Sequence, residues 1–289
     1  MLLDSASKLT SLYLQLRTTV THVIHNSWKV DFNLALRSFE PLIASSKKLV
    51  DACYEFENSV VLLFSSSIAT GAAWDPSKGP IPEEPLADPS SSVPTGYGSS
   101  KFIVEHILAK AAAPGLDTTT VRIGQVCGSE TTGVWSTREW VPTLVKSSIA
   151  LGALPESSTV CDTRDSDSFE WLTKCESQPI EWIPMDAVAD AFVDFLVSRE
   201  PLPELVNLVH PHAVPWSTVI HNINEQLATP LPIIPFQEWV AKLEAVSDNA
   251  TAEQLDKIVS AHMMLSIRRL YRVTARHQAP RVLQDRLRR

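Results

Sequence analysis

Residues 59–71 read SVVLLFSSSIATG, and residues 92–111 read SVPTGYGSSKFIVEHILAKA. The first stretch starts with the apolar run Val60 to Phe64, which predicts a buried strand that ends in three serines. The second stretch places Tyr97 and Lys101 four residues apart, so both side chains lie on one face of a predicted helix. A connection rich in Pro, Ser and Gly separates the two and predicts a loop. Strand, loop and helix in this order indicate a sheet covered by helices.

The flanking segments extend this pattern in both directions. Residues 20–26 (VTHVIHN) and 121–126 predict two further strands, and the apolar spacing between residues 34 and 50 predicts a helix in spite of Pro41. Alternating strands and helices indicate a parallel sheet, in which the carboxyl ends of the strands carry the chemistry. We therefore predict an α/β sheet domain over residues 1–150 and a smaller, mainly helical cap over residues 151–289 that ends in a basic tail.

Composition and charge narrow the class of protein. The net charge of −8 argues against general nucleic-acid binding, although residues 268–289 hold eight arginines and one acidic residue. That tail predicts a solvated terminus or, alternatively, a surface for phosphate-rich partners. An apolar run of about 18 residues, which a membrane span needs, does not occur in the sequence. The N-terminus lacks a signal-peptide pattern and the four cysteines are scattered, so we expect a cytoplasmic protein without a metal site.

Tyr97 and Lys101 are the candidate catalytic residues. A lysine ammonium beside a phenol lowers the pKa of the tyrosine, which could then exchange a proton with a carbonyl or alcohol oxygen near neutral pH. A serine at a neighbouring strand end can hydrogen-bond the same oxygen, and Ser67 is well placed for this, with Ser66 as the second choice. The four-residue spacing of tyrosine and lysine is by itself weak evidence for a catalytic pair. The preceding strand, which ends in serines, strengthens that evidence.

These motifs resemble the extended short-chain dehydrogenase/reductase superfamily. Residues 20–51, 121–148 and 180–195 are similar to the terminal thioester-reductase domain of fungal adenylate-forming reductases and related nonribosomal-peptide-synthetase-like enzymes. The similarity covers residues 10–260. It implies a Rossmann-like fold and NADPH-dependent release of an acyl thioester as an aldehyde in fungal secondary metabolism. The partner implied is an acyl or peptidyl carrier protein with its phosphopantetheine arm.

The resemblance also implies roles for individual residues. Ser67 and Tyr97 would hold the carbonyl oxygen, Tyr97 would donate the proton, and Lys101 would bind the nicotinamide ribose and tune Tyr97. Other residues would lie along the cofactor: Asn26, Ser27, Ile123, Gly124, Gln125 and Val126. Trp135 and Trp140 would line the acyl or phosphopantetheine channel, or equally would be core residues of the cap.

The sequence departs from the family pattern at three places. Its first glycine is Gly71, whereas the family opens with a strand and a glycine-rich turn that cradles the pyrophosphate, so we expect the first βαβ portion of the sheet to be absent. Residues 156–179 resemble an insertion, and the similarity fades beyond Met264. The alternative function is therefore a truncated, non-catalytic remnant or interaction module that cannot hold the cofactor. A sugar-nucleotide epimerase or dehydratase is a third, weaker possibility.

Several polar residues have simpler explanations than catalysis. Asp186 is predicted to be a helix N-cap, and His25 is predicted to be a packed residue at a strand end. His210 and His212 indicate a turn, because a third metal ligand is not evident nearby. Cys127 lacks an evident histidine partner and is interpreted as a packing residue.

Overall fold

The computed structural model describes residues 2–157 and 180–249. These residues form two compact units. The first, here called the sheet unit, comprises residues 2–124 and 187–208, and the second, here called the tryptophan unit, comprises residues 125–157, 180–186 and 209–249. The sequence predicted a single division after residue 150, whereas the chain leaves the sheet unit after Gly124 and later returns to it. Most of the predicted insertion and the whole arginine-rich tail lie outside the described residues.

The helices and strands follow one another along the described chain in this order: α1 Leu2–Thr19, β1 His22–His25, α2 Glu40–Tyr54, β2 Val61–Ser67, α3 Gly96–Ala112, β3 Asp117–Ile123, β4 Val126–Cys127, α4 Trp140–Leu151, β5 Leu154–Pro155, β6 Ile183–Pro184, α5 Met185–Val197, β7 Leu205–Leu208, α6 Trp216–Gln226, β8 Ile233–Ile234 and α7 Phe236–Asn249. Short 3₁₀ turns precede α2 and follow β2. No helix within these described ranges has the length and apolar composition needed to cross a bilayer.

The sheet unit is built on four parallel strands in the order β1-β2-β3-β7. This confirms the predicted α/β fold with a parallel sheet. The strand predicted at 121–126 is shifted, because β3 starts at Asp117 and ends at Ile123, and the chain then leaves the sheet. Apolar side chains of β2, α2 and α3 form the core on one face of the sheet, among them Leu62, Phe64 and Val104.

Proline does not interrupt the helix predicted after residue 34. The helical segment begins as a 3₁₀ turn at Leu36–Phe39, and α2 follows at once with Pro41 in its first turn. Proline is tolerated there because the amide hydrogens of a first helical turn have no partner within the helix. The predicted helix was therefore right, and it continues to Tyr54.

The tryptophan unit combines helices with two pairs of very short parallel strands, β4 with β6 and β5 with β8. The mainly helical prediction missed these pairs, because two-residue strands leave no alternation that a sequence can show. Its apolar core gathers side chains from α4, α6 and α7, including Leu144, Trp216 and Trp239.

Candidate active site at the ends of the strands

The carboxyl ends of three neighbouring strands lie at one edge of the sheet. His25, at the end of β1, pairs with Phe64, and Ser67, at the end of β2, pairs with Ile123 at the end of β3. Asn26 and Ser27 follow β1 directly and are exposed. The strand register therefore places Asn26 and Ser27, two of the residues expected along a cofactor, at the edge that also carries Ser67.

Helix α3 presents Tyr97 to this edge through a closely packed start. The Thr95 side chain caps the helix by accepting a hydrogen bond from the Gly98 amide at 2.9 Å. A Cβ atom at Gly96 would overlap the backbone at Leu34 and Leu36, and one at Gly98 would lie 2.5 Å from the carbonyl oxygen of Ala69. The backbone on both sides of Tyr97 is thus in direct contact with neighbouring loops.

Tyr97 is buried, and its hydroxyl interacts with Ser67. Its ring packs edge-on against Phe32, with the ring centroids 4.8 Å apart, and also against Phe39. Burial raises the pKa of Tyr97, while a hydrogen-bond interaction with the Ser67 side chain lowers it by a smaller amount. The sequence predicted a lowered pKa, and this was wrong because desolvation of the phenolate dominates at this position.

Lys101 is buried more deeply than Tyr97, at 2% exposure. Its Nζ donates a hydrogen bond to the Ser65 carbonyl oxygen at 2.6 Å. The ammonium also lies over two aromatic rings, 4.4 Å from the centroid of Trp28 and 4.6 Å from that of Phe64. Burial lowers the pKa of Lys101 to about 7, against an opposing effect of the Glu105 carboxylate. The lysine is therefore poised to change its charge close to neutral pH.

Trp28 is a site residue that the sequence analysis did not single out. Its indole Nε1 donates to the Ser100 hydroxyl at 3.2 Å, and that hydroxyl donates to the Tyr97 carbonyl oxygen at 2.7 Å. The ring packs edge-on against His25, whose Nε2 lies 2.8 Å from the Ser46 hydroxyl. Trp28 thus connects the loop after β1 to the first turn of α3. The prediction that His25 is a packed residue at a strand end is confirmed.

A buried ion pair between Glu105 and Arg122 was also missed. Arg122 Nη2 lies 2.7 Å from Glu105 Oε2, and the two side chains are 0% and 1% exposed. Ser66 donates its hydroxyl to Glu105 Oε1 at 2.5 Å. A sequence signal was present, because an arginine inside the β-branched run of β3 must be paired if that strand is buried.

The other predicted site residues lie in different parts of the structure, some in the sheet unit and some in the tryptophan unit. The buried Ser66 faces the ion pair rather than Tyr97. Gly124 closes the sheet unit by donating its amide to the Leu208 carbonyl oxygen at 2.9 Å. Gln125 and Val126 belong to the tryptophan unit, where Gln125 accepts a hydrogen bond from the Ile183 amide and Val126 pairs with Ile183 in the β4–β6 ladder.

Trp135 and Trp140 lie in an aromatic cluster of the tryptophan unit. Trp135 packs edge-on against Trp182 at 5.5 Å between ring centroids, and Trp140 stacks on Trp216 at 5.9 Å. Trp140 also packs against the apolar core of this unit. The indole nitrogen of Trp135 is buried and has no hydrogen-bond partner among the described residues. Both tryptophans therefore pack within this unit, and their predicted contact with an acyl chain stays a prediction.

Asp186 anchors a loop instead of capping a helix. It lies inside the first turn of α5, one residue after the start of the helix, so the predicted N-cap was wrong. Its Oδ2 accepts hydrogen bonds from the Ser129 hydroxyl at 3.0 Å and the Thr131 amide at 3.1 Å, and these lower the pKa of its carboxyl group. His210 Nδ1 lies 2.8 Å from the His212 carbonyl oxygen, in the turn that the sequence predicted.

The arrangement of Ser67, Tyr97 and Lys101 can be compared with known proteins. The profile of an NAD-binding family described as "Male sterility protein" matches residues 10–192, which is more than half of the chain. The chain belongs to this family. The match includes β1, β2, α3 and β3, so every element that forms the site lies inside it.

Two curated fungal proteins are similar to the chain over most of its length. The adenylate-forming reductase Nps11 of Serpula lacrymans is 37% identical over 261 residues, which cover 87% of this chain and 22% of that protein. A carboxylic acid reductase of Neurospora crassa is 35% identical over 246 residues, which cover 82% of this chain and 22% of that protein. The chain thus spans about a fifth of the length of these relatives.

A solved structure confirms the fold assignment. The reductase (R) domain of a nonribosomal peptide synthetase from Mycobacterium tuberculosis superposes with a TM-score of 0.65 at 21% identity. The superposition covers 88% of this chain and 60% of that one. The sheet unit therefore has a Rossmann-like fold, as the sequence resemblance predicted.

Proposed function

We propose that this chain carries the reducing site of a cytosolic, NADPH-dependent reductase of carrier-bound acyl thioesters in fungal secondary metabolism. The substrate is an acyl group on the phosphopantetheine arm of a carrier protein, and the product is an aldehyde. The observation that carries the proposal is the close packing of Ser67, Tyr97 and Lys101 between β2 and α3, in a chain of an NAD-binding family. The similarity to fungal adenylate-forming and carboxylic acid reductases supports this type of substrate.

The chemistry of Tyr97 and Ser67 suits the reduction of a carbonyl group. Because its pKa is raised, Tyr97 keeps its proton at neutral pH and can donate it to the carbonyl oxygen. Ser67 holds the same oxygen by a hydrogen bond and orients the carbonyl group. The reduced carbon then carries both a hydroxyl group and the sulfur of the arm. As the carbon–sulfur bond breaks, the hydroxyl proton passes to the sulfur, and the thiol of the arm and the aldehyde are released. Lys101, when charged, stabilises the phenolate that Tyr97 becomes.

The residues at this edge of the sheet fit the nicotinamide half of a dinucleotide. NADPH, when bound, supplies the hydride for the carbonyl carbon. Asn26 and Ser27 offer exposed polar groups at the end of β1, and Tyr97 and Lys101 offer a hydroxyl and an ammonium one turn apart. Ile123 ends the neighbouring strand β3, and Gly124 follows it. The glycine turn that would hold the pyrophosphate has no counterpart within residues 1–70, which contain no glycine.

A second candidate function is a non-catalytic module that keeps the site without using it. One observation favours it: the Lys101 ammonium is covered by Trp28 and Phe64 and is already bound to the Ser65 carbonyl oxygen. A ribose hydroxyl could reach Lys101, which is 2% exposed, only if the side chains that cover the ammonium moved. The two candidates therefore differ in whether the chain binds NADPH at all.

Calorimetry of the purified chain with NADPH tests the proposal. We expect micromolar binding that is lost in Lys101→Ala and retained in Tyr97→Phe. Lys110→Ala is the matched control, because it removes an exposed lysine from the same helix, and it should bind like the unmodified chain. With an acyl-pantetheine thioester added, Tyr97→Phe should reduce turnover at least about 100-fold. A folded chain that binds no NADPH at millimolar concentration would establish the second candidate.

A further inference from the structure

Three successive residues of β2 contact three successive turns of α3. Ser67 interacts with Tyr97, the Ser65 carbonyl oxygen accepts a hydrogen bond from Lys101, and the Ser66 hydroxyl donates to Glu105. Tyr97, Lys101 and Glu105 are spaced four residues apart and share one face of the helix. Glu105 is therefore part of the same contact between strand and helix that positions the two candidate catalytic residues.

Arg122 fixes Glu105 from the neighbouring strand. Its Nε lies 3.1 and 3.2 Å from the two carboxylate oxygens of Glu105, and its Nη2 donates to Oε2 at 2.7 Å. The guanidinium also donates to the carbonyl oxygens of Pro82 and Glu84 at 3.0 and 3.1 Å. The carboxylate is thus held by β2 and β3 together, while the loop before α3 is tied to the same arginine.

Glu105 also provides negative charge near Lys101. Among the described residues, the groups around the Lys101 ammonium are His25 from β1, the Phe64 ring and the Ser65 carbonyl oxygen from β2, the Trp28 ring, and Tyr97 and Glu105 from α3 itself. Among these groups, Glu105 is the one with a carboxyl side chain. Burial disfavours the ammonium, and the carboxylate opposes that effect.

We propose that Glu105, held by Arg122 and Ser66 and one helical turn after Lys101, is a positioning residue that fixes α3 against the end of β2 and favours the charged form of Lys101. Its consequence for catalysis rests on the proposed function. A merely structural ion pair would stabilise the fold and leave the protonation of Lys101 unchanged. The charge state of Lys101 therefore separates the two roles.

The test is an NMR titration of the Lys101 side chain in the full chain without cofactor, with the signal assigned through Lys101→Ala. The unmodified chain should titrate with a midpoint of about 7. In Glu105→Gln the midpoint should fall by about one pH unit, a tenfold loss in proton affinity. Asp51→Asn is the matched control, because Asp51 also lies four residues after a lysine, Lys47, on an exposed helix face. It should leave the Lys101 midpoint unchanged.

Two further measurements cover the case in which Glu105→Gln fails to fold. The double variant Glu105→Gln/Arg122→Met leaves neither buried charge unpaired, and its Lys101 midpoint should lie below that of Arg122→Met, which keeps the carboxylate. In the unmodified chain, the carboxyl ¹³C signal of Glu105 should show a step at the Lys101 midpoint. An unchanged midpoint in a folded variant, or a carboxyl signal without that step, would overturn the proposal. None of these readings needs NADPH, so failure of cofactor binding would refute the proposed function alone.

Discussion

Both units have an apolar core, but they differ in whether charged side chains are buried as well. Where β2 meets α3, the sheet unit buries a lysine, a glutamate and an arginine, whereas the core of the tryptophan unit is formed by apolar and indole side chains. Buried charges need a partner for every charge, and the sheet unit provides one through the Glu105–Arg122 ion pair. The sheet unit therefore holds, beside its apolar core, a group of buried charges for which stability alone gives no reason.

Two buried tryptophans of the tryptophan unit are uncharged and hydrogen-bond their indole nitrogens to nearby groups. Trp239 donates to the Ser148 hydroxyl at 3.0 Å and the Ala153 carbonyl oxygen at 3.1 Å, and Trp216 donates to the Pro155 carbonyl oxygen at 3.3 Å. Each side chain buries a large apolar ring and satisfies its single donor locally. Loss of one such residue should therefore remove packing without leaving a charge behind.

Breaking the ion pair from one side should have the largest effect. Arg122→Met leaves the Glu105 carboxylate buried without its partner, and we expect the free energy of unfolding to fall by about 3–5 kcal/mol. Urea unfolding followed by circular dichroism measures this. Lys47→Met breaks the exposed Lys47–Asp51 pair and should cost less than about 1 kcal/mol. Equal losses in the two variants would show that the buried pair has no special role.

A conservative substitution in the tryptophan unit should lower the free energy of unfolding by less than Arg122→Met does. Trp239→Phe keeps an aromatic ring but removes the indole donor, which leaves the Ser148 and Ala153 acceptors without it. We expect a loss of about 1–3 kcal/mol in the same urea experiment. Phe236→Leu, on the same helix and only partly buried, is the control and should lose less. A loss in Trp239→Phe as large as that in Arg122→Met would erase the contrast between the two units.

The smallest of the three effects is a dependence of stability on pH. Since the pKa of Lys101 is lowered to about 7 in the folded chain, the unfolded chain binds more protons above this pH, and stability should rise as the pH increases. Between pH 7.5 and 8.5, one group of this kind contributes about 1 kcal/mol. Lys101→Met should remove this rise, and Lys110→Met should preserve it. A parallel pH dependence in the unmodified chain and Lys101→Met would contradict the buried, partly neutral lysine.

Much of the fold and part of the site could be predicted from the sequence. The apolar runs predicted β1 and β2, and the four-residue spacing identified Tyr97 and Lys101. The strand β7 escaped notice because Leu205–Leu208 is four residues long and pairs with a strand more than eighty residues earlier. The Glu105–Arg122 pair was missed for a similar reason, since its partners lie on different elements. The direction of the Tyr97 pKa shift depends on burial, which neighbouring charges in a sequence do not reveal.

The two glycines beside Tyr97 limit how this site can change during evolution. Because side chains at positions 96 and 98 would collide with the backbone of neighbouring loops, the turn that carries the tyrosine has almost no tolerance for substitution. Selection for a new substrate must therefore act elsewhere and leave this turn untouched. Under directed mutagenesis of the whole chain, we expect active descendants to differ widely in their surfaces and to keep the same three letters, GYG, at residues 96–98.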